Sequence, residues 1–296
     1  SGAGVFDIPG RTFPVAIEYR HRPDNLTIED QVAQAARELL TDSRVTGDIL
    51  VFLPGMQDIR RCADRLNQSL GPSQALVLPL AADLNPADQA LVFTPSQKRK
   101  IILSTNVAET SLTIPGVTAV IDSGLAKIAG HASWSGIATL DVKKISQAAC
   151  IQRSGRAGRT APGVAYRLFS EGDYLARPPF SVPDIRRLDL AEIFLTVQDL
   201  RRRVGRRERF DQALPWFEAP SQPAVDAARQ LLMQLGAIND EDAVTPLGVR
   251  MAELPFHPRL AAMVVKGQDL QCTREALAAA REQSFDLLIV DRMLPS

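Results

Sequence analysis

Gln152-Arg153-Ser154-Gly155-Arg156-Ala157-Gly158-Arg159 sets three arginines and a glutamine among small residues at fixed spacing. Arginine carries a planar, permanently charged fork matched to phosphate oxygens, and glycine lets the main chain approach a partner with no side chain in the way. The chemistry this pattern suits is phosphate binding by a claw of guanidinium groups. A short basic run of this kind also occurs at solvated helix ends, so the claw needs support from elsewhere in the chain.

That support lies upstream, in Leu50-Val51-Phe52-Leu53-Pro54-Gly55 and in Leu103-Ser104-Thr105-Asn106-Val107-Ala108-Glu109-Thr110-Ser111-Leu112-Thr113-Ile114-Pro115-Gly116-Val117. With the claw, the three blocks resemble, in order, motifs IV, V and VI of the DEAH-box family of superfamily 2 helicases, most of all the bacterial HrpB-type ATP-dependent helicases. The resemblance runs over nearly the whole chain, strongest from Ile49 to Phe169 and looser from Leu247 to Leu260.

The resemblance implies that Gln152, Arg156 and Arg159 are catalytic. Gln152 would lie near the γ-phosphate or the attacking water. The two arginines would act as fingers, stabilising the charge that spreads over the equatorial oxygens once two domains close. Arg153 is expected to brace its helix by pairing with a carboxylate. Phe93, in Leu91-Val92-Phe93-Thr94-Pro95, matches the position where relatives pack a ring on adenine, although it suits a core position equally well. One ring contact is worth about 0.5–1.5 kcal/mol and reads no hydrogen-bonding edge, so ATP would be used with other nucleoside triphosphates accepted.

Thr105, Asn106 and Thr113, with the Pro54-Gly55 turn, match positions that hold the phosphate backbone of a single strand, RNA before DNA. Thr105 and Asn106 also suit a helix cap at a strand end. Glu109 counts among the nucleotide-site residues and stands in sequence between the two groups of ligands, where it could relay one state to the other. Two positions depart from the family: Ser154, where alanine is common, and Pro115, where many relatives carry an acidic residue near the ribose.

No Gly-x-x-x-x-Gly-Lys-Ser/Thr loop and no Asp-Glu-Ala-His box occur in the chain. The family keeps both on a first RecA-like domain, which the resemblance places before Ser1 and which would hold Mg2+ in cis. This chain is expected to bind no metal by itself. Two other readings stay open: a DNA-directed superfamily 2 helicase, and a non-catalytic nucleic-acid-binding adaptor, against which the intact claw argues.

The elements that must position these residues alternate between strand and helix. Phe13, Val15, Ile17 and Tyr19 alternate with polar or small neighbours as in a half-buried strand. Apolar runs at Ile49–Leu53, Ala75–Leu80, Ile101–Leu103, Val117–Ile121 and Val164–Leu168 read as further strands. Thr27 caps a helix that buries Ile28, Val32, Ala35, Leu39 and Leu40. A second helix buries Ile59, Cys62, Ala63 and Leu66 and ends at Gly71-Pro72, a third starts at Pro86, and Ser146 caps the helix of the claw. This is the pattern of a doubly wound α/β fold, whose ligands gather at the carboxyl ends of the strands. Residues 125–145, with Gly130 and Gly136 as turn candidates, read as an inserted β-hairpin or a sheet extension; in the family a hairpin here helps part strands.

A proline-rich joint at Arg177–Pro183 marks the domain boundary. The expected division is a RecA-like domain at 1–178, a mostly helical winged-helix domain at 179–258, and the start of a helical bundle at 259–296. Leu235–Ile238 and Leu254–Arg259 carry the second domain's resemblance. Lys+Arg and Asp+Glu are each 34 in 296 residues, so nucleic-acid affinity must come from a local patch. The run Arg201-Arg202-Arg203 with Arg206-Arg207 lacks interleaved aromatics and reads as a solvated face.

The three cysteines lack Cys-x-x-Cys spacing and read as reduced core residues, and the three histidines are too scattered for a metal pair. With no apolar run near the roughly 20 residues that span a bilayer, and no signal sequence, a cytoplasmic protein is expected. Lacking the phosphate loop and the acidic box, this chain alone should not turn over ATP. Its half-site should bind ATP at roughly millimolar or weaker, about −4 kcal/mol. Calorimetry giving micromolar affinity, or turnover by a pure sample, would contradict the half-site assignment.

Overall fold

The computed structural model describes residues 13–20, 25–71, 74–81, 84–110, 113–131, 138–205, 210 and 216–283. The chain divides into two compact units, Ser1–Ala129 with Leu140–Ser181, and Gly130–Thr139 with Val182–Ser296.

The first unit alternates β1 (Val15–Tyr19), α1 (Ile28–Thr41), β2 (Asp48–Phe52), α2 (Met56–Ser69), β3 (Leu76–Leu80), α3 (Pro86–Phe93), β4 (Lys100–Ser104), α4 (Val107–Thr110) and β5 (Val117–Asp122). Strands β6 (Leu125–His131) and β7 (Ala138–Lys144) form a separate two-stranded sheet. Helix α5 (Gln147–Gly155), a 3-10 turn (Arg156–Gly158), β8 (Gly163–Arg167) and α6 (Glu171–Leu175) follow. The main sheet has the order β1-β8-β5-β2-β4-β3, with every neighbouring pair parallel.

Strands covered on both faces read as continuous apolar runs. In β2 and the residue after it, Ile49, Val51 and Leu53 enter one core with Val32, Leu39, Ile59, Cys62 and Leu66 of α1 and α2. Leu50 and Phe52 point to the opposite core, with Val92, Ala108 and Ala157. A bulge modifies the pattern in β5. Asp48 pairs with Val117 and Ile49 with Ala119, so Thr118 is the extra residue. Val117 therefore faces the core opposite to that of Ala119 and Ile121. The Thr118 hydroxyl accepts a bond from Gly47 N at 2.8 Å.

The expected caps form: the hydroxyls of Thr27 and Ser146 accept from Asp30 N and Ala149 N, both at 3.3 Å. Helix α2 stops at Ser69, just before the expected Gly71-Pro72 breaker. The half-buried alternation expected for β1 is corrected. Ile17 is 45 % exposed and Phe13, before the strand, 42 %, because β1 is an edge strand with β8 as its one sheet neighbour. Gly130 lies inside β6 and not in a turn, and Gly136 falls outside the described residues.

The proline-rich joint docks on the helix of the claw. Pro178 O and Pro179 O accept from Gln147 N and Ala148 N, each at 3.0 Å, and Ser181 bonds Ser146 through their hydroxyls at 3.1 Å. The start of α5 is thus satisfied by a distant segment. Burial pushes the Cys62 thiol up to about 12 and the Cys150 thiol up to about 11, so both stay protonated.

The second unit is built from α7 (Asp184–Arg187), α8 (Ala191–Arg203), α9 (Gln222–Gln234), α10 (Pro246–Ala252), α11 (Pro258–Asp269) and α12 (Thr273–Gln283), with one antiparallel bridge, Ile238 to Val244. Its core gathers Phe194, Leu195, Phe210, Leu232, Met251 and Val265, with the rings of Phe194 and Phe210 stacked at 4.5 Å. Gly236, at φ +70, ends α9 in the left-handed conformation. His257 caps α11, its Nδ1 accepting from Arg259 N at 3.3 Å. In the basic run, Arg201 is buried, while Arg202 and Arg203 pair with Asp199 at 2.9 and 2.7 Å. Its charge is partly neutralised within its own helix. No described helix is long and apolar enough to cross a membrane.

Candidate functional site

The claw occupies the end of α5 and the 3-10 turn after it, ahead of β8. Its three arginines have different fates. Arg153 is completely buried: Nε donates to a Glu109 carboxylate oxygen and Nη1 to Asp122 Oδ1, both at 2.9 Å, and Nη1 also reaches Leu125 O at 3.1 Å. Its guanidinium lies 4.8 Å from the centre of the Phe52 ring. Burial alone would ease its proton off, but Asp122 and Glu109 outweigh that and hold the proton more tightly than usual. This is the bracing role expected for Arg153, with two carboxylates in place of one.

Arg156 and Arg159 each reach one oxygen of the motif V segment. Arg156 donates to Glu109 O, and Arg159 Nη1 donates to the Thr113 hydroxyl at 2.5 Å. Arg156 is 6 % exposed, and its pKa is lowered by burial and then by the like charge of Arg159. With Leu50, Ala108, Ile114 and Val117 the two arginines line a narrow pocket. Apolar side chains form its floor and guanidinium groups its rim. Two neighbouring cations in partly desolvated surroundings favour an anion between them. The β5 bulge contributes here, because it turns Val117 toward this side of the sheet.

The two claw glycines differ. A Cβ on Gly158 would lie 2.5 Å from Phe13 O, whereas one on Gly155 would meet nothing within 4 Å. Gly158 allows a tight main-chain contact, and Gly155 leaves open space beside the arginines. Gln152 is exposed one helical turn before Arg156. Phe93 ends α3 with its ring 38 % exposed. The buried Lys100 holds that helix end, donating to Val92 O at 2.7 Å and Thr94 O at 3.2 Å. An open glycine beside two neighbouring arginines suits an anionic group. Glu109 and Asp122 do not fit a divalent cation, because Arg153 occupies both carboxylates.

The expected strand-holding residues fall into two places. Thr105 and Asn106 follow β4, and Pro54-Gly55 follows the adjacent β2, where Leu53 N donates to Ser104 O at 2.8 Å. The start of α4 bonds to the main-chain oxygens of Thr105 and Asn106. Thr113 instead joins the claw through Arg159. Pro54 and Gly55 are buried, and the exposed Lys127 of β6 lies across Gly55, its Cε 2.7 Å from where a Cβ would sit. The open main-chain N–H groups expected at this turn are thus roofed by a flexible cation. Lys127 and Asp122 escaped sequence reasoning because each acts on residues distant in the chain; only the placement of Asp122 at a strand end pointed to the site.

A parallel sheet with a helix carrying the arginine claw before its last strand, and polar loops at the neighbouring strand ends, is the architecture of a helicase C-terminal domain. The family model "Helicase conserved C-terminal domain" matches residues 31–161, and "Helicase associated domain (HA2), winged-helix" matches 228–256. The chain is 40% identical over 287 residues to ATP-dependent RNA helicase HrpA of Escherichia coli K12, covering 94% of this chain and 21% of that protein. It is 36% identical over 292 residues to probable ATP-dependent RNA helicase DHX34 of Mus musculus, covering 95% and 25%. The crystal structure of Escherichia coli DEAH/RHA helicase HrpB matches with a TM-score of 0.83 at 33% identity, over 95% of this chain and 35% of that one. The chain has a RecA-like fold and carries helicase C-terminal and HA2 domains, with HrpA/HrpB-type DEAH-box helicases among its homologues. It spans 21% and 25% of the length of the two curated relatives.

Alanine at Gly158 should cost about 1–3 kcal/mol by forcing a main-chain shift. Alanine at the helical, open Gly155 should be neutral or stabilising by up to about 1 kcal/mol. Urea denaturation of the two variants checks the contrast; equal losses would mean that both glycines are packing positions.

Proposed function

We propose that this chain is the arginine-bearing, strand-holding part of an ATP-dependent RNA helicase, a cytoplasmic enzyme that uses nucleoside triphosphates to translocate along RNA and unwind it. The observation that carries this reading is the convergence of Arg156 and Arg159 on one pocket beside open space at Gly155.

The fold family implies ATP with Mg2+ on a first RecA-like domain, supplied in cis, that would carry the phosphate loop and acidic box missing from this sequence. Bound ATP supplies the phosphoryl group that water accepts. In this chain, Arg156 and Arg159 stabilise the negative charge that develops on that group, and Gln152 orients the water. Phe93 packs on the base, and the Glu109 main-chain oxygen steers Arg156. Because the Glu109 carboxylate also holds Arg153, one residue of motif V touches two of the three arginines of motif VI.

On the strand-holding side, Thr105 and Asn106 donate to phosphate or sugar oxygens, with Pro54-Gly55 beside them and Lys127 adding a mobile positive charge. Thr113 holds Arg159 and in the same reading meets the strand, which puts it where the two ligands communicate. Residues 179–258 form the winged-helix domain and 259–296 begin a helical bundle.

In the full-length enzyme, Arg156→Ala or Arg159→Ala should lower ATP turnover about a thousandfold or more, with RNA binding retained. Near-normal turnover with lost RNA affinity in both variants would move the claw to the nucleic-acid site.

Single-stranded RNA should stimulate ATP hydrolysis well above DNA of the same sequence, with strong salt sensitivity and little base preference. The Thr105→Ala/Asn106→Ala double variant should weaken that response. Equal stimulation by the two polymers removes the RNA assignment, and an undiminished response in the double variant removes the motif V contacts.

A further inference from the structure

The hairpin is rooted in the first unit by a buried arginine that the helicase reading leaves unused. Arg177 is 5 % exposed and its Nη1 donates to Gly124 O at 2.7 Å and Ile145 O at 3.1 Å, the residues just before β6 and just after β7. Ile145 N also donates to Gly124 O at 3.1 Å, which closes the root. The other end of the fork, Nη2, reaches Asp173 Oδ2 on α6 at 3.3 Å, and the guanidinium lies 4.0 Å from the centre of the Phe169 ring. Asp173 takes a second cation from the hairpin, Lys144 of β7, at 3.1 Å. Gly124 sits at φ +72, and a Cβ there would come within 2.6 Å of both Arg177 and Phe169.

We propose that Arg177 is a positioning residue for duplex separation: it sets the direction in which the hairpin leaves the motor domain and has no part in nucleotide turnover. The proposal rests on the helicase reading. Each strand has seven residues. At about 3.3 Å per residue each strand is roughly 23 Å long, so a rotation of about 10° at the root displaces the far end of the strand by about 4 Å. A planar fork that grips both roots and one fixed carboxylate resists such rotation; a single ammonium group, which lacks the fork, does not. Arg153 also touches the root, at Leu125 O, but it serves the claw as well, so its loss would affect both activities.

The test uses the full-length enzyme and compares unwinding of a tailed RNA duplex with ATP turnover stimulated by single-stranded RNA. Arg177→Lys should slow unwinding at least fivefold while stimulated turnover stays within twofold of wild type. Replacing residues 130–139 by a short Gly-Ser turn should also slow unwinding, and adding Arg177→Lys to that enzyme should change it less than twofold further. Turnover that falls together with unwinding, unaffected unwinding, or losses that multiply in the combined variant would each overturn the proposal. If Arg177→Lys does not fold, Asp173→Asn loosens the same grip from α6. It should slow unwinding at least twofold at unchanged turnover, and unchanged unwinding overturns the proposal. Unwinding that survives the hairpin replacement removes the strand-separating role and the proposal with it, whereas impaired unwinding there with a normal Arg177→Lys enzyme overturns the proposal alone. A wild-type enzyme that hydrolyses ATP but unwinds nothing removes the helicase reading itself.

Discussion

The first unit is organised around one buried charge. Arg153 is wholly enclosed and can stay ionised only because Asp122 and Glu109 face it, one from the end of β5 and the other from α4. Breaking such a group by removing one partner costs about 3–5 kcal/mol, since the charge left behind has no water to turn to. The claw helix, the end of the central sheet and the motif V segment are therefore held in one arrangement. Arg156 inherits its place from the same knot, because the residue that pairs with Arg153 through its side chain receives Arg156 on its main-chain oxygen.

Around this knot the parallel sheet collects what the chemistry needs. Every neighbouring strand pair runs in the same direction, so the segments after β2, β4 and β5 open along one edge. Pro54-Gly55, Thr105-Asn106 and Ser123-Gly124 come together there, although long stretches of chain separate them. The helices that return to start the next strand cover both faces, which keeps the strand ends as the accessible edge of the sheet. A bulge of one residue at Thr118 is enough to turn Val117 into the pocket beneath the arginines.

Much of this was legible in the sequence where the governing interactions are local. The continuous apolar runs of β2 and β5 and the Thr27 and Ser146 caps follow from residue type and spacing, and the bracing role of Arg153 from the family resemblance. What escaped depends on distant partners. The exposure of Ile17 comes from β1 lying at a sheet edge, which no pattern within the strand records. The cover of Lys127 over Gly55 brings together two segments more than a domain's worth of helix apart in the chain. Thr113, three residues beyond the visible end of α4, bonds to Arg159 because a loop and a turn meet above the sheet. The side of the motif V loop to which a residue belongs is set by that meeting, which spacing does not encode.

The docking of the proline-rich joint on α5 has a consequence for the order in which this unit can form. Two of the donors at the start of the claw helix have their acceptors at Pro178 and Pro179. During synthesis that helix leaves the ribosome well before the prolines do, and until they arrive its first turn can bond only to solvent. The last strand of the sheet, β8, lies between the two segments in sequence and must also find its slot between β1 and β5. Maturation of the claw is thus tied to the tail of its own domain: a nascent chain halted short of residue 178 holds all three arginines yet lacks the clasp that completes their helix, so the turn that carries Arg156 is among the last parts of the unit to become rigid.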